Sequence, residues 1–249
     1  GLYPPTALSR MDPEGYGGRL HGLIEAILDQ TTVERVRLSS IQPQDLTPKL
    51  LSMWSDPRLC RHVHMALQSG CDETLRRMRR RYSVTQFDNA IRTLRTKVPE
   101  IAITTDVIVG FPGETEETFE DSYRFCRRMG FADMHVFPYS ARQGTGSEKM
   151  NEIVLNRVKK ERMAKMLRLA RGSARTFRHS FIGRTMGVLW ENKKQIKDSV
   201  CFSGLTDNYI RVYAKNPHIK ANSLVPVVLV EECFDTHVSV TAVGGDFLL

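Results

Sequence analysis

The chain has 249 residues, 41% of them hydrophobic, and a formal net charge of +8, which allows one large domain or a medium domain with a small one. No apolar run approaches the roughly 20 residues of a membrane helix, and the N-terminus lacks the pattern of a secretory signal. The five cysteines are scattered without CxxC spacing, which excludes a disulfide framework and a local zinc or iron–sulfur ligand set and favours the cytoplasm.

Predicted strands alternate with predicted helices in the first two thirds of the chain. Several helices begin at clear capping signals, such as Thr47 before Pro48 and Ser83 three residues before Gln86. The predicted helices cover residues 20–28, 47–55, 72–78, 83–96, 116–129 and 151–179. The predicted strands cover residues 33–41, 62–68, 101–109 and 134–139, and residues 3–18 predict a loop. This alternation is typical of parallel βαβ units in a complete or partial barrel.

Residues 101–114 form the central strand and turn of this pattern. The strand is apolar and β-branched except for Asp106, as in a parallel strand covered on both faces. Gly110 and Gly113 let the backbone turn sharply and approach a ligand, although an ordinary βα turn has the same signature. Asp106 is costly to bury unless it is paired, so it is either a functional group, which we favour, or half of a hydrogen-bonded pair.

Polar side chains and one glycine follow the carboxyl ends of the predicted strands. They are Ser39, Ser40, Gln68, Ser69, Asp106, Gly110, Tyr139 and Arg142. This set predicts a polar ligand, such as a zwitterionic cofactor with a ribose, at the barrel mouth. His62 and His64 share one strand face and could ligate a metal. Without an evident third ligand we favour hydrogen-bonded interior histidines and assign no metal ligand.

The rest of the chain predicts a basic helix followed by a β-rich unit. The helix 151–179 and the run 76–81 are rich in arginine and lysine, which indicates either a solvated face or an RNA-contacting surface. Beyond a boundary near Phe181, short β-rich segments predict a small barrel or sandwich that carries Tyr209. These segments are 186–190, 200–204, 209–213, 223–231 and 237–243.

Five separated stretches together resemble the radical S-adenosylmethionine methylthiotransferases. They are RLSSIQP (37–43), HVHMALQSG (62–70), MRRRY (78–82), TTDVIVGFPGET (104–115) and HVFPYSARQGT (135–145). The resemblance runs from about Leu20 onward, and residues 182–243 are similar to the family's RNA-binding TRAM domain. The sequence HVFPYS (135–140) resembles that of the family branch that modifies threonylcarbamoyladenosine beside the tRNA anticodon. The isopentenyladenosine and ribosomal-protein branches are the alternatives.

The resemblance implies an α/β fold in three parts. These are a partial parallel radical-SAM barrel (1–150), a basic connecting helix (151–181) and a TRAM-like β-barrel (182–249). A [4Fe–4S] cluster would cleave S-adenosylmethionine, the resulting radical would remove hydrogen from C2 of the adenosine, and a second cluster would deliver the methylthio group. The family's CxxxCxxC loop is absent from this sequence. We therefore expect a fragment of a longer enzyme, inactive by itself.

The resemblance also implies roles for particular residues, but no catalytic one. The implied cofactor-binding residues are Ser39, Ser40, Gln68, Arg80, Asp106, Gly110 and Tyr139. Arg142 and Tyr209 are expected to contact the tRNA substrate. Two other readings stay open: a basic RNA-binding protein with a scaffold barrel, and a barrel enzyme that binds phosphate at Gly144–Gly146.

Overall fold

The computed structural model describes residues 15–196, 199–215, 219–233 and 237–242. A three-stranded parallel sheet with helices comes first, and a closed β-barrel follows. Residues 3–14 of the predicted loop, and Val243 at the end of the last predicted strand, lie outside the described residues. Within the described ranges, no helix is both long and apolar enough to cross a bilayer.

The elements follow the predicted order. The helices are α1 Gly15–Gln30, α2 Pro48–Ser52, α3 Asp72–Arg77, α4 Val84–Lys97, α5 Glu116–Met129 and α6 Asn156–His179. The strands of the first sheet are β1 His62–His64, β2 Ala102–Val109 and β3 Asp133–Pro138. Those of the barrel are β4 Thr185–Ile196, β5 Ser199–Thr206, β6 Arg211–Ala214, β7 Leu224–Cys233 and β8 His237–Ala242.

Four sequence predictions need correction. The predicted loop 3–18 is helical from Gly15, where α1 begins. The predicted strand 33–41 makes only two isolated bridges, from Val36 to Leu59 and from Ile41 to Met65. The predicted strand 62–68 ends at His64. The predicted end at Gln68 is wrong, since Gln68 has a φ of 65° and is not extended. Helix α6 begins five residues later than predicted. The segment before it lies along the 110–114 turn, and the carbonyl of Glu152 in this segment accepts a hydrogen bond from the Gly113 N–H.

The first sheet has its strands in the order β1-β2-β3, all parallel. Its helix-covered face is closed by a core in which helix α4 contributes Phe87, Ile91 and Leu94, one turn apart along one side of the helix. The rings of Phe125 and Phe131 meet that of Phe87 edge-on. The opposite face of β2, which includes Asp106, is only partly covered and leaves room for a ligand.

The β-rich unit is a closed barrel in the order β4-β5-β6-β8-β7, which confirms the predicted all-β fold. All its pairs are antiparallel except β6 with β8. Its core is built around Trp190, Val188 and Leu229, and Phe181 from the end of the α6 segment already packs into it. The barrel therefore has a hydrophobic centre of its own.

Two arginines from the α/β part hold the barrel against the first sheet. The Arg35 guanidinium donates to the carbonyls of Leu205 and Gly187, both at 2.6 Å. Burial lowers the pKa of Arg35, and these two carbonyls supply the hydrogen bonds that its charge needs. Arg61 pairs with Asp207 at 2.6 Å. These contacts bring the β5–β6 connection to the open face of the first sheet.

Candidate functional site

Two cavities lie along the open face of the first sheet and share Asp106 and Phe137 in their walls. The first is about 710 Å³, within the size range of small-molecule sites, and opens at the carboxyl ends of the strands. Its polar and charged wall residues include Gln68, Arg77, Arg79, Arg80, Asp106, Tyr139, Ser140 and Arg142. Five of the nine predicted cofactor and substrate residues therefore meet in one cavity: Gln68, Arg80, Asp106, Tyr139 and Arg142.

Gln68 is fixed by the strand beside it. Its N–H donates to the Asp106 carbonyl at 2.8 Å, and its own carbonyl accepts from the Ile108 N–H at 2.9 Å. These bonds hold it in the left-handed region at φ 65°, which non-glycine residues adopt rarely and often at functional sites. The turn directs the chain away from the sheet and leaves the Gln68 side chain in the cavity wall.

Tyr139 contributes a polar atom that has no use within the fold. Its hydroxyl is buried and has no hydrogen-bond partner among the described residues. The ring is held edge-on by Phe111 at 5.1 Å between centroids, and the ammonium group of Lys159 lies 5.4 Å from its centre. A buried hydroxyl without a partner costs free energy unless a ligand or water satisfies it, so Tyr139 marks this wall as a binding surface.

The turn after β2 supports this wall from behind. Gly110 has a φ of 73°, and its N–H donates to the Glu114 carboxylate at 2.8 Å. The same carboxylate oxygen accepts from Arg162 of α6 at 2.8 Å, with both side chains almost fully buried. Gly110 was expected to contact the cofactor, but it packs against the Lys159 side chain behind the wall.

We expect Gly110→Ala to destabilise the chain more than Gly130→Ala by about 1–3 kcal/mol. Both glycines have positive φ, so both substitutions strain the backbone. A Cβ on Gly110 would lie 2.5 Å from Cγ of Lys159, whereas a Cβ on Gly130 would meet nothing within 4 Å. Both variants carry the backbone strain, so the difference between their free energies of unfolding, measured by urea denaturation, reports the cost of displacing Lys159. Equal losses of stability would contradict the assigned packing.

The second cavity, of about 580 Å³, lies between the sheet and the β-barrel. Ser39 and Tyr209 line it together with Asp106, so the structure separates these two predicted residues from Gln68, Arg80, Tyr139 and Arg142. The Tyr209 ring lies 4.5 Å from that of His62, and the Arg37 guanidinium lies 4.2 Å from its centre. Tyr209 keeps 39% of its surface exposed, so part of it stays available to a partner.

Asp106 lies at the junction of the two cavities and is paired. Its carboxylate is 3.4 Å from Nε2 of His64 and 3.2 Å from Nδ1 of His135. Thr104 lies within 3.0 Å of His64 Nδ1 and 3.2 Å of His62 Nε2, so both predicted strand histidines are hydrogen-bonded, as expected. Burial, with the nearby charge of Arg37, lowers the pKa of His62 to about 3 and keeps it neutral.

Two predicted cofactor residues, Gly110 and Ser40, lie outside both cavity walls, and sequence reasoning missed several residues that lie in them. Ser40 is exposed and lies outside both cavity walls. His135 was noticed only as part of a family motif, although it lies directly opposite Asp106 in the β2–β3 register. Phe111 and Phe137 form part of the apolar wall of the first cavity. Nothing in their local sequence, apart from their being aromatic, indicated this position. Alternation along β3 could have found His135, Phe137 and Tyr139 together, because they share one strand face.

The described cysteines do not fit the ligand set of an iron–sulfur cluster. Cys60, Cys71, Cys126 and Cys201 are all buried and come from separate elements. Burial raises the pKa of Cys60 and raises that of Cys126 to about 12, which disfavours the thiolate form that metals bind. No step of a reaction is therefore assigned to these residues.

Comparisons with known proteins point to one family. The profile of the Radical SAM superfamily matches residues 17–126. The threonylcarbamoyladenosine tRNA methylthiotransferase MtaB of Bacillus subtilis is 34% identical over 201 residues, covering 80% of this chain and 45% of that protein. MtaB of Treponema pallidum is 39% identical over 189 residues, covering 76% of this chain and 38% of that protein.

A tRNA-2-methylthio-N(6)-dimethylallyladenosine synthase of Acetivibrio thermocellus is 34% identical over 193 residues, covering 77% of this chain and 40% of that protein. The chain thus spans less than half the length of these curated relatives. Coproporphyrinogen III oxidase (HemN) from Escherichia coli, a radical SAM enzyme, has a TM-score of 0.53 at 11% identity over 77% of this chain and 51% of that chain, which shows a shared fold. Residues 17–126 therefore match the Radical SAM superfamily, and the chain is similar over 76–80% of its length to curated tRNA methylthiotransferases.

Proposed function

We propose that this chain is the cofactor- and tRNA-binding part of a tRNA methylthiotransferase that modifies C2 of threonylcarbamoyladenosine beside the anticodon. The observation that carries the proposal is the first cavity, where Gln68, Asp106 and Tyr139 converge from the carboxyl ends of three neighbouring segments. The Radical SAM match over residues 17–126 supports the reaction class, and the similarity to the MtaB relatives supports the threonylcarbamoyl branch. A dimethylallyladenosine relative at 34% identity keeps that branch as the alternative.

The groups in the first cavity fit the parts of S-adenosylmethionine. The Asp106 carboxylate suits its ammonium group, and the Arg80 guanidinium suits its carboxylate. Gln68 and the unpartnered Tyr139 hydroxyl can hydrogen-bond a ribose, and the ring of Phe111 offers an apolar surface for the adenine. When bound, S-adenosylmethionine supplies the hydrogen-abstracting chemistry of the family. The residues of this chain bind and orient it.

The second cavity and the β-barrel are the proposed RNA side of the enzyme. The β-barrel acts as a TRAM domain, and Tyr209, which packs near His62 and Arg37 and stays partly exposed, offers an aromatic surface to a nucleotide. Arg142, exposed at the rim of the first cavity, is placed to contact an RNA phosphate or the modified base. The partly exposed Tyr209 ring also supports the alternative function, that of a basic RNA-binding protein. In that case the first cavity would bind no cofactor.

Asp106→Ala in the full-length protein is expected to weaken S-adenosylmethionine binding roughly 10–100-fold, because it removes the charged partner of the ammonium group. Isothermal titration calorimetry measures the change. Asp121→Ala is the matched control, since Asp121 is an exposed carboxylate on α5 that pairs with Arg124. Unchanged binding by the Asp106 variant would remove it from the cofactor site.

Nucleoside analysis of tRNA from a strain that lacks the gene tests the substrate. We expect loss of the methylthio derivative of threonylcarbamoyladenosine and its recovery when the full-length gene is restored. Loss of the isopentenyladenosine derivative would overturn the branch. Unchanged tRNA together with normal tRNA binding would instead favour the RNA-binding protein.

A further inference from the structure

Three side chains from three neighbouring strands meet where the two cavities join. They are His64 of β1, Asp106 of β2 and His135 of β3, and one ligand atom from each lies within 4.8 Å of the others. The Asp106 carboxylate lies between the two rings, 3.4 Å from His64 and 3.2 Å from His135. Two imidazoles and one carboxylate are therefore brought together across the whole width of the sheet.

The spacing is close to that of a metal site. Bonds of about 2.0–2.1 Å in a tetrahedral arrangement hold neighbouring ligand atoms about 3.3 Å apart. Each oxygen of Asp106 lies at about this distance from one histidine nitrogen: Oδ2 is 3.4 Å from Nε2 of His64, and Oδ1 is 3.2 Å from Nδ1 of His135. The two histidines need to approach each other, and the His135 side chain, 57% exposed, is free enough of packing to rotate inward. A small movement of one exposed ring would complete the ligand set.

The surrounding residues hold the ligands as in known metal sites. Nδ1 of His64 lies 3.0 Å from the Thr104 hydroxyl, which leaves Nε2 directed at Asp106. Metal-binding histidines usually make this kind of hydrogen bond through their second nitrogen, which fixes the tautomer and the ring. The His64 side chain is only 15% exposed and that of His135 is 57% exposed, so the site has a buried inner ligand and an exposed outer one.

We propose that His64, Asp106 and His135 bind a divalent cation of the late first-row series, such as zinc, with at least one coordination position open to the second cavity. Imidazole with carboxylate suits these metals, and three protein ligands with an open position are typical of reactive sites rather than structural ones. A simple ion pair explains the cluster less well, because neutralising one carboxylate needs only one histidine. Because Oδ2 of Asp106 faces His64 and Oδ1 faces His135, the carboxylate can reach the metal through either oxygen.

The inference concerns the cluster alone and stands whether or not the proposed methylthio transfer is correct. The test uses the chain without an affinity tag, freed of metal by a chelator and titrated with Co²⁺. We expect saturable binding of one Co²⁺ per chain, with the visible absorption of a nitrogen- and oxygen-ligated cobalt ion, and competition by Zn²⁺.

Variants separate the proposed ligands from other histidines. His135→Gln and Asp106→Asn are expected to weaken Co²⁺ binding by at least ~10-fold, and Thr104→Val, which removes the supporting hydroxyl, by ~10–100-fold. His179→Gln, at an exposed position at the end of α6, is the control and should bind as the unchanged chain does. His135 is mostly exposed, so its variant keeps the fold, which circular dichroism checks.

Two results would overturn the proposal. One is the absence of a saturable one-to-one Co²⁺ complex in the unchanged, folded chain. The other is binding that the His135 and Asp106 substitutions leave intact, or that the His179 control weakens equally.

Discussion

Glu114→Gln is expected to lower the free energy of unfolding by about 3–5 kcal/mol, because it leaves Arg162 as a buried charge without its partner. The Arg162 guanidinium donates to the Glu114 carboxylate at 2.8 Å and to its carbonyl at 3.0 Å, and the two side chains are 7% and 2% exposed. Burial raises the pKa of Glu114, and the contacts with the Gly110 N–H and Arg162 oppose that rise. The pair ties the turn after β2 to helix α6, so its loss also loosens the wall of the first cavity.

The control for this prediction is Glu116→Gln, which removes a second carboxylate that contacts the same arginine. Glu116 also contacts Arg162, at 3.3 Å, but its side chain is 74% exposed. Exposed ion pairs contribute little, so this variant should change stability by about 0.5 kcal/mol or less. Urea denaturation at neutral pH measures both. A similar effect of the two substitutions would show that burial of the Glu114–Arg162 pair does not govern its contribution.

The sequence predicted best those elements whose signals are local. The predicted capping box that opens α4 at Ser83 exists as hydrogen bonds in the structure, and α5 has the predicted bounds. Strand β2 begins one residue after its predicted start and ends where predicted, because an apolar β-branched run between turn residues is a clear strand signal. Each of these signals lies within a few residues of the element that it specifies.

The failures share a different cause, which is dependence on distant partners. Residues 33–41 have a strand-like composition, but Arg35 is held by carbonyls of the β-barrel more than 150 positions away. The pairing of Asp106 with His135 follows from the β2–β3 register, which no local pattern encodes. The second cavity depends on how the β-barrel docks, so Tyr209 could be predicted as a partner-binding residue but not placed beside His62.

Neutralising the basic stripe of α6 is expected to lower the salt dependence of tRNA binding. We define this basic stripe as the exposed Arg157, Lys160, Arg168, Arg171 and Arg175, which follow one side of the helix at spacings of three to eight residues. Lys160→Gln, Arg168→Gln and Arg171→Gln together remove three positive charges. If each contacts a phosphate, the slope of log affinity against log salt falls by about 2–3.

The same reasoning predicts a larger loss of affinity at low salt than at high salt, by roughly 15–65-fold between 50 and 200 mM. The matched control replaces Arg92, Arg124 and Arg128 with glutamine, which lowers the net charge of +8 by the same three units. These arginines already lie beside acidic neighbours: Asp88 at 2.8 Å from Arg92 and 3.7 Å from Arg128, and Asp121 at 2.7 Å from Arg124. Equal changes in the two triple variants would mean that net charge alone attracts the RNA, and the α6 stripe would lose its role as a binding surface.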